Sequence, residues 1–265
     1  MHVYPNAYYN YLKDLKQDYR EKKNKIKGQI KLIYHEHDGT DGYRKIKVYL
    51  ERNKIILSNT TVHKYMNKEM GLKSITRRKK QGYKKGTPHT IFGNKLGRNF
   101  YAYEKNQKWC TDFTYTELKD GRMRYNCSII DLYDRSIVAS ITDNRITAEL
   151  AVRTLKKALD SQPGFKGDLL LHSDQGSQYT SKIFVDFCKR NNIIQSMSAA
   201  GCPYDNAPME RYFNTLKNEC LNLYVFETEE ELYAAIEEFA YVHYNHVRPH
   251  EFNGYKTPAQ KRFAA

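Results

Sequence analysis

The stretch LLLHSDQGSQYTS, residues 169–181, decides how the C-terminal part of this chain is read. A short apolar run, Leu169 to Leu171, leads straight into His172, Ser173 and Asp174, and then into Gln175 and Gly176. An acid at the end of a buried strand loses hydration that only a cation or a set of hydrogen-bond donors restores. In an open α/β sheet the strand ends border the cleft where ligands bind. Asp174 is therefore either a solvated turn residue at the rim or a functional carboxylate, and the segments around it have to decide.

Upstream, KWCTDFTYTEL (108–118), RMRYNCSIIDLY (122–133) and SIVASIT (136–142) read as three short strands, with turns at Asp120-Gly121 and Asp134-Arg135. TAELAVRTLKKALDS (147–161) reads as a helix with Leu150, Leu155 and Leu159 along its apolar side. Downstream of Asp174, SKIFVDFCKRNN (181–192) reads as a helix and IIQSMS (193–198) as a fifth strand. Two more helices follow, MERYFNTLKNECL (209–221) and TEEELYAAIEEFAYVHYN (228–245), the second opening on a capping box of Thr228 and Glu231. The order βββαβαβα predicts a mixed α/β domain, a five-stranded sheet flanked by helices in the RNase H-like arrangement, over residues 108–265.

Two further acids can join Asp174. Asp112 lies inside the apolar strand WCTDFTY, and Glu210 opens a helix marked by the cap candidates Asp205 and Asn206 and by Pro208 in its first turn. Glu219 competes for the same role but, nine residues on at ~100° per residue, faces away from Glu210, whereas Lys217, seven residues on, lies nearly over it. Asp205 reads as a structural turn residue. Hard divalent cations take a few carboxylates plus water and substrate oxygens. Three acids from separate elements can hold two such ions ~4 Å apart for an in-line phosphoryl transfer.

The first part of the chain has a different character. Of the net charge of +14, residues 1–108 carry +17 and residues 109–265 carry −3. So uneven a distribution, with tyrosines among the lysines, points to a module that grips a polyanion such as nucleic acid. After a tyrosine-rich segment (1–23), residues 24–72 hold three helical patterns: Ile26, Ile30 and Ile33; then Tyr43, Ile46, Tyr49 and Leu50; then Val62, Tyr65, Met66 and Met70. Asn59 or Thr60 is the expected N-cap of the third and Gly71 its stop. The pattern fits an all-α, helix-turn-helix-like DNA-binding domain with its last helix in the major groove, or a plain three-helix bundle. Residues 73–107 begin with a basic linker in which Arg77, Arg78, Lys79 and Lys80 lie among seven cations with no acid.

The composition excludes several classes. The longest apolar runs are far shorter than the ~20 residues a membrane helix needs, and nothing at Met1 marks the chain for export, so a soluble, cytoplasmic protein is expected. The cysteines, Cys110, Cys127, Cys188, Cys202 and Cys220, are odd in number and form no Cys-x-x-Cys pair, which argues against a disulfide framework and a zinc site.

These residues carry a resemblance. The chain resembles the OrfB class of transposases of bacterial insertion-sequence family three, which have a retroviral-integrase-like catalytic core of the DDE type. The matching motifs are GYRKIKVYL and TTVHKYMNKEMGL for the helix-turn-helix, and WCTDFTY, HSDQGSQYTS and YDNAPMERYFNTLKNE for the core. YNHVRPHEFNGYKTPAQ matches the C-terminal signature, and 35 residues separate Asp174 from Glu210, the family's gap. The resemblance implies that Asp112, Asp174 and Glu210 bind metal, Mg²⁺ with Mn²⁺ as a substitute and two ions at the site. It implies that Lys217, the basic residue seven positions after the glutamate, lies near the DNA end. Arg211 beside Glu210, His63 and Lys64 on the third helix, and Arg77, Arg78, Lys79 and Lys80 in the linker are further candidate DNA contacts. His172, Gln178 and Tyr179 belong to the motif with roles left open. Arg248 and His250 fit either packing or the DNA backbone.

The implied activity is cleavage at the ends of an insertion element followed by strand transfer. The implied partners are double-stranded DNA (terminal inverted repeats and target), further copies of the chain in a homo-oligomer, and the product of an upstream frame, separate or fused by frameshifting. The implied location is the bacterial cytoplasm, at the nucleoid. A covalent tyrosine recombinase is disfavoured because residues 109–265 lack the arginine-rich cluster such chemistry uses. A non-catalytic DNA-binding regulator of the element and an RNase H-type nuclease are the alternatives.

Overall fold

A computed structural model describes residue 9 and residues 17–75, 90–163 and 167–264. The chain divides into two compact units, Met1–Arg77 and Arg78–Ala265. The linker cations Arg77, Arg78, Lys79 and Lys80 fall outside the described residues.

In the first unit the isoleucines spaced four and three apart make one face of α1 (Gln17–Glu36), where Ile30 and Ile33 are buried. They pack with Ile46, Tyr49 and Leu50 of α2 (Tyr43–Arg52) and with Val62, Tyr65 and Met66 of a third helical segment. That segment starts as α3 (Asn59–His63) and widens into π-type turns over Lys64–Glu69. Ser58 caps α3, its Oγ accepting from the Thr61 amide at 3.1 Å. The expected caps Asn59 and Thr60 are instead the first helical residues; three adjacent capping-type side chains make the sequence signal degenerate by a residue. Gly71, at φ +69°, ends the segment as expected. Its polar side supplies Glu69, which bridges Lys23 and Lys27 of α1 at 2.9 and 2.7 Å.

Between α1 and α2, Asp41 is buried and takes an ion pair from Lys45 at 2.9 Å and a bond to His37 Nδ1 at 2.7 Å. Burial alone would push its carboxyl up, but these two partners outweigh it and hold the pKa at about 2. A carboxylate whose folded pKa is depressed stabilises the fold above its unfolded value of ~3.9 and loses that contribution as pH falls toward ~2, on the order of 2 kcal/mol. Amide exchange of α2 in the full chain should therefore lose protection between about pH 5 and about pH 2.5. Asp41→Asn should lower protection at the upper pH and remove most of this dependence; an unchanged pH profile would contradict the assignment.

The second unit is built on a five-stranded sheet in the order β3-β2-β1-β4-β5. Strands β1 (Lys108–Glu117), β2 (Met123–Asp131) and β3 (Ile137–Asp143) form antiparallel hairpins, and β4 (Leu169–Ser173) and β5 (Ile193–Met197) add in parallel. Gly121 at φ +86° makes the first turn, a conformation that costs a residue with a Cβ. Between strands come α4 (Ala148–Asp160, capped by Thr147), the short α5 (Ser177–Thr180) and α6 (Lys182–Arg190, capped by Ser181). After β5 come a 3₁₀ turn (Pro203–Asn206), α7 (Ala207–Leu216) with a π-type extension (Lys217–Leu221), α8 (Glu229–Glu237) with another (Glu238–Val247), and α9 (Pro258–Arg262). Thr228 and Glu231 form the expected capping box on α8.

Strand alternation sorts the core into two layers. Trp109 and Ile129 face α4 and α6 with Leu155, Phe184 and Cys188, whereas Cys110 and Ile130 face α7 and α8 with Met209, Tyr212, Leu216 and Ile236. This is the RNase H-like arrangement expected from the element order. One detail places the site. β4 pairs with β1 at Lys108, Trp109 and Cys110, so among the described residues no strand pairs with 111–117 on that side and that edge of β1 is open. No helix among the described residues is long and apolar enough to cross a membrane.

Candidate active site

Each of the three acids is delivered by a different element at this opening. Asp112 lies on β1 just past the last residue paired with β4, opposite Ser128 of β2, and is half-buried. Asp174 is the first residue after β4. Glu210 is in the first turn of α7, where the helix dipole favours negative charge.

The strand end under Asp174 is fixed by His172. Its fully buried ring bonds Ser196 Oγ through Nδ1 at 2.9 Å and Ser198 Oγ through Nε2 at 3.0 Å, tying β4 to β5 and the loop beyond it. Burial pulls the pKa of the imidazole down to about 4; as a neutral ring it donates through one nitrogen and accepts through the other. The motif histidine is thus a hydrogen-bonded residue of the strand end. Tyr179 is likewise buried, against Phe113 and Phe184, with its hydroxyl 3.1 Å from Thr111 Oγ1. The Gly176 amide donates to Asp174 Oδ1 at 2.8 Å. A Cβ at Gly176 would meet that same oxygen at 2.8 Å and Gln178 Oε1 at 2.7 Å, so a larger residue there would make both side-chain ends shift.

Glu210 is positioned by contacts of Asn206 and Asp205 that the local sequence pattern does not encode. Asn206, expected as a cap, occupies the N-cap position without capping. Its Nδ2 donates instead to the Thr111 carbonyl at 3.1 Å, fastening the start of α7 to β1 one residue before Asp112. Asp205, expected to be structural, is buried; it accepts from the Ala199 amide at 2.9 Å, Asn94 Nδ2 at 3.1 Å and Arg98 Nε at 2.6 Å. These bonds set the loop of residues 198–203. Glu219 is engaged elsewhere, accepting two bonds from Arg248, from Nε at 2.7 Å and from Nη2 at 3.0 Å. Arg248 is thus paired within the chain, and His250 Nε2 lies 2.8 Å from the Tyr244 hydroxyl.

Asp112, Asp174 and Glu210 line one cavity of about 360 Å³, together with Gln175, Asn206 and residues 198–203. Among the described residues that line it there is no lysine or arginine. Among the described residues no three His, Cys, Asp or Glu side chains are already gathered around one metal position. The physical reason is visible in the acids: like charges repel, and two of the three turn toward local amides, Asp112 Oδ1 to the Phe113 N–H at 2.7 Å and Asp174 Oδ1 to that of Gly176. The donor set, three carboxylates with the Gln175 and Asn206 side chains in one cavity, fits hard divalent ions.

Integrase core domain models match residues 102–203 and 191–258, and an HTH-like domain model matches residues 21–80. A 31 kDa protein of insertion element IS600 from Shigella sonnei is 32% identical over 97% of this chain and 94% of its own length. The transposase for insertion sequence element IS904 from Lactococcus lactis is 34% identical over 87% and 90%. The chain belongs to the insertion-sequence transposases of family three. Among solved structures, the simian T-cell lymphotropic virus intasome in complex with a PP2A regulatory subunit has a chain that superposes with a TM-score of 0.53 at 16% identity. It covers 89% of this chain and 75% of that one, a likeness of fold.

In this transposase-family chain the candidate DNA contacts are dispersed. Lys217 follows α7 and sets its ammonium 4.7 Å from the centroid of the Tyr115 ring. Arg211 is exposed beside Glu210. On the first unit, His63 is half-buried with its ring against Tyr43, and Lys64 is exposed, 4.0 Å from Glu69.

Proposed function

We propose that this family member is a DNA transposase that cuts the ends of its insertion element and joins them to new DNA, with Asp112, Asp174 and Glu210 as the catalytic acids. The observation that carries this reading is their delivery, from β1, the end of β4 and the start of α7, into one cavity. The same three would hold the divalent ions, Mg²⁺ or Mn²⁺, one or two of them. Bound there, such ions stabilise the charge on the transferring phosphoryl group and lower the pKa of the attacking oxygen.

The chain's own residues do the rest. β4 and α7, pinned by His172 and Asn206, hold the carboxylates on rigid elements instead of flexible loops. Lys217 and Arg211 offer phosphate contacts next to the cavity, and the basic residues 24–107 grip the duplex. In the first reaction water attacks phosphorus and a 3′ oxygen leaves; in the second that 3′ hydroxyl attacks another phosphodiester, whose own 3′ oxygen leaves as the new bond forms. No covalent protein–DNA link is required. Self-association and a partner encoded by an upstream frame belong to the same reading.

The test is incubation of the protein with a duplex carrying the inverted repeats that flank its gene. Cleavage at the repeat ends is expected with Mg²⁺ or Mn²⁺ and is lost on chelation. Binding without cleavage under either metal would favour a non-catalytic regulator of the element; cleavage confined to RNA in a hybrid would favour an RNase H-type nuclease.

A further inference from the structure

The open edge of β1 holds a second constellation. From Asp112 to Tyr115 the strand advances ~10 Å, and from Glu210 to Lys217 the helix advances ~10.5 Å. Asp112 shares the cavity with Glu210, while Tyr115, three residues on, projects from the opposite face of the strand, and the Lys217 ammonium lies 4.7 Å from the centroid of its ring. Tyr115 is 41% exposed, although its ring is the kind that strands normally bury. Tyr125, half-buried, pairs directly across from it on β2, and Phe113 precedes it on the same side of β1. Aromatic faces beside a lysine, on an edge with no strand partner among the described residues, are what an unpaired nucleotide uses. Bases stack on the rings and the phosphate meets the ammonium, with no demand on sequence.

We infer that Tyr115, with Lys217 laid against it, is a stacking platform for an unpaired nucleobase of the DNA strand whose phosphodiester lies at the carboxylate cavity. This deepens the proposed transposase reading and rests on it for the identity of the strand.

The test uses the full chain without divalent metal and a short single-stranded oligonucleotide carrying 2-aminopurine, whose fluorescence falls when it stacks. The wild type should quench the probe. Tyr115→Ala should remove most of that quenching and weaken binding by about tenfold, while Tyr115→Phe and Tyr115→Trp, which keep the ring, should retain both. Lys217→Ala should lower the slope of log affinity against log salt by about 0.7, the share of one single-strand phosphate contact, with quenching retained. Quenching by Tyr115→Ala equal to wild type, or a Tyr115→Phe as damaged as Tyr115→Ala, would overturn the inference. Neither readout involves chemistry, so a wild type that fails to cut element ends would sink the transposase reading and leave this measurement decisive. In an active enzyme, Tyr115→Ala should raise KM for end-containing duplex far more than it lowers kcat; the reverse split would count against the platform.

Discussion

Asp174→Asn is expected to lower metal-dependent cleavage of element ends by roughly a thousandfold, the rate equivalent of about 4 kcal/mol, while leaving duplex binding within about twofold of wild type. The substitution keeps the shape and the bond from the Gly176 amide, which an amide oxygen accepts as a carboxylate does. What it removes is one negative charge from a cavity lined by three carboxylates. Asp112→Asn and Glu210→Gln should behave alike, whereas Glu219→Gln should not, because Glu219 is committed to Arg248. Its loss should appear as reduced stability instead. Retained cleavage in Asp174→Asn, measured on the same duplex, would remove that residue from the site.

The second large effect concerns stability. Arg262 of α9 reaches into a buried acidic pair, its Nη1 donating to Asp131 Oδ2 at 3.0 Å and Asp134 Oδ2 at 2.7 Å. Its Nη2 donates to Asn106 Oδ1 at 3.0 Å and Gln162 Oε1 at 2.6 Å. Both aspartates are fully buried, and burial, with Asp134's charge next to it, pushes the Asp131 carboxyl up. Arg262→Ala strips the guanidinium from two desolvated acids, a change that costs about 3–5 kcal/mol when a buried pair loses one partner. Denaturant unfolding followed by the fluorescence of Trp109, fully buried in the same unit, should report it. Adding Asp134→Asn should recover part of the loss by removing one of the stranded charges. A loss below about 1 kcal/mol would mean that water or another cation already serves the pair.

What could be read in advance divides along the range of the interactions. Period-two and period-3.6 patterns are local, and the five strands and the main helices of residues 108–265 follow from them; so does the Thr228 capping box. Asp112 was conspicuous because an acid interrupts an apolar strand, and Asp174 because it ends one. Glu210 was separated from Glu219 by helical phase, and the salt bridge from Arg248 to Glu219 supplies the physical reason for that separation. The supports of the site were not legible. Asn206 reads as a cap until the Thr111 carbonyl, 95 positions away, is seen to take its amide. The Arg98–Asp205 pair spans 107 positions and the Arg262–Asp131 pair 131. Such partners are set by how layers stack, which no local pattern encodes. The π-type extensions of the helices that carry Lys64, Lys217 and Tyr244 belong to the same class, since their wider turns follow from packing and not from propensity. The short helix α5 inside the motif, four residues long, is below the length at which periodicity can be recognised.

The central claim, that Asp112, Asp174 and Glu210 together form a divalent-metal site, is tested most directly by anomalous diffraction from crystals of the protein soaked in Mn²⁺. The account predicts an anomalous peak inside the cavity, within about 2.0–2.3 Å of carboxylate oxygens from all three residues once their side chains turn away from the local amides. A peak held by other residues, or an empty cavity at saturating Mn²⁺, would contradict it.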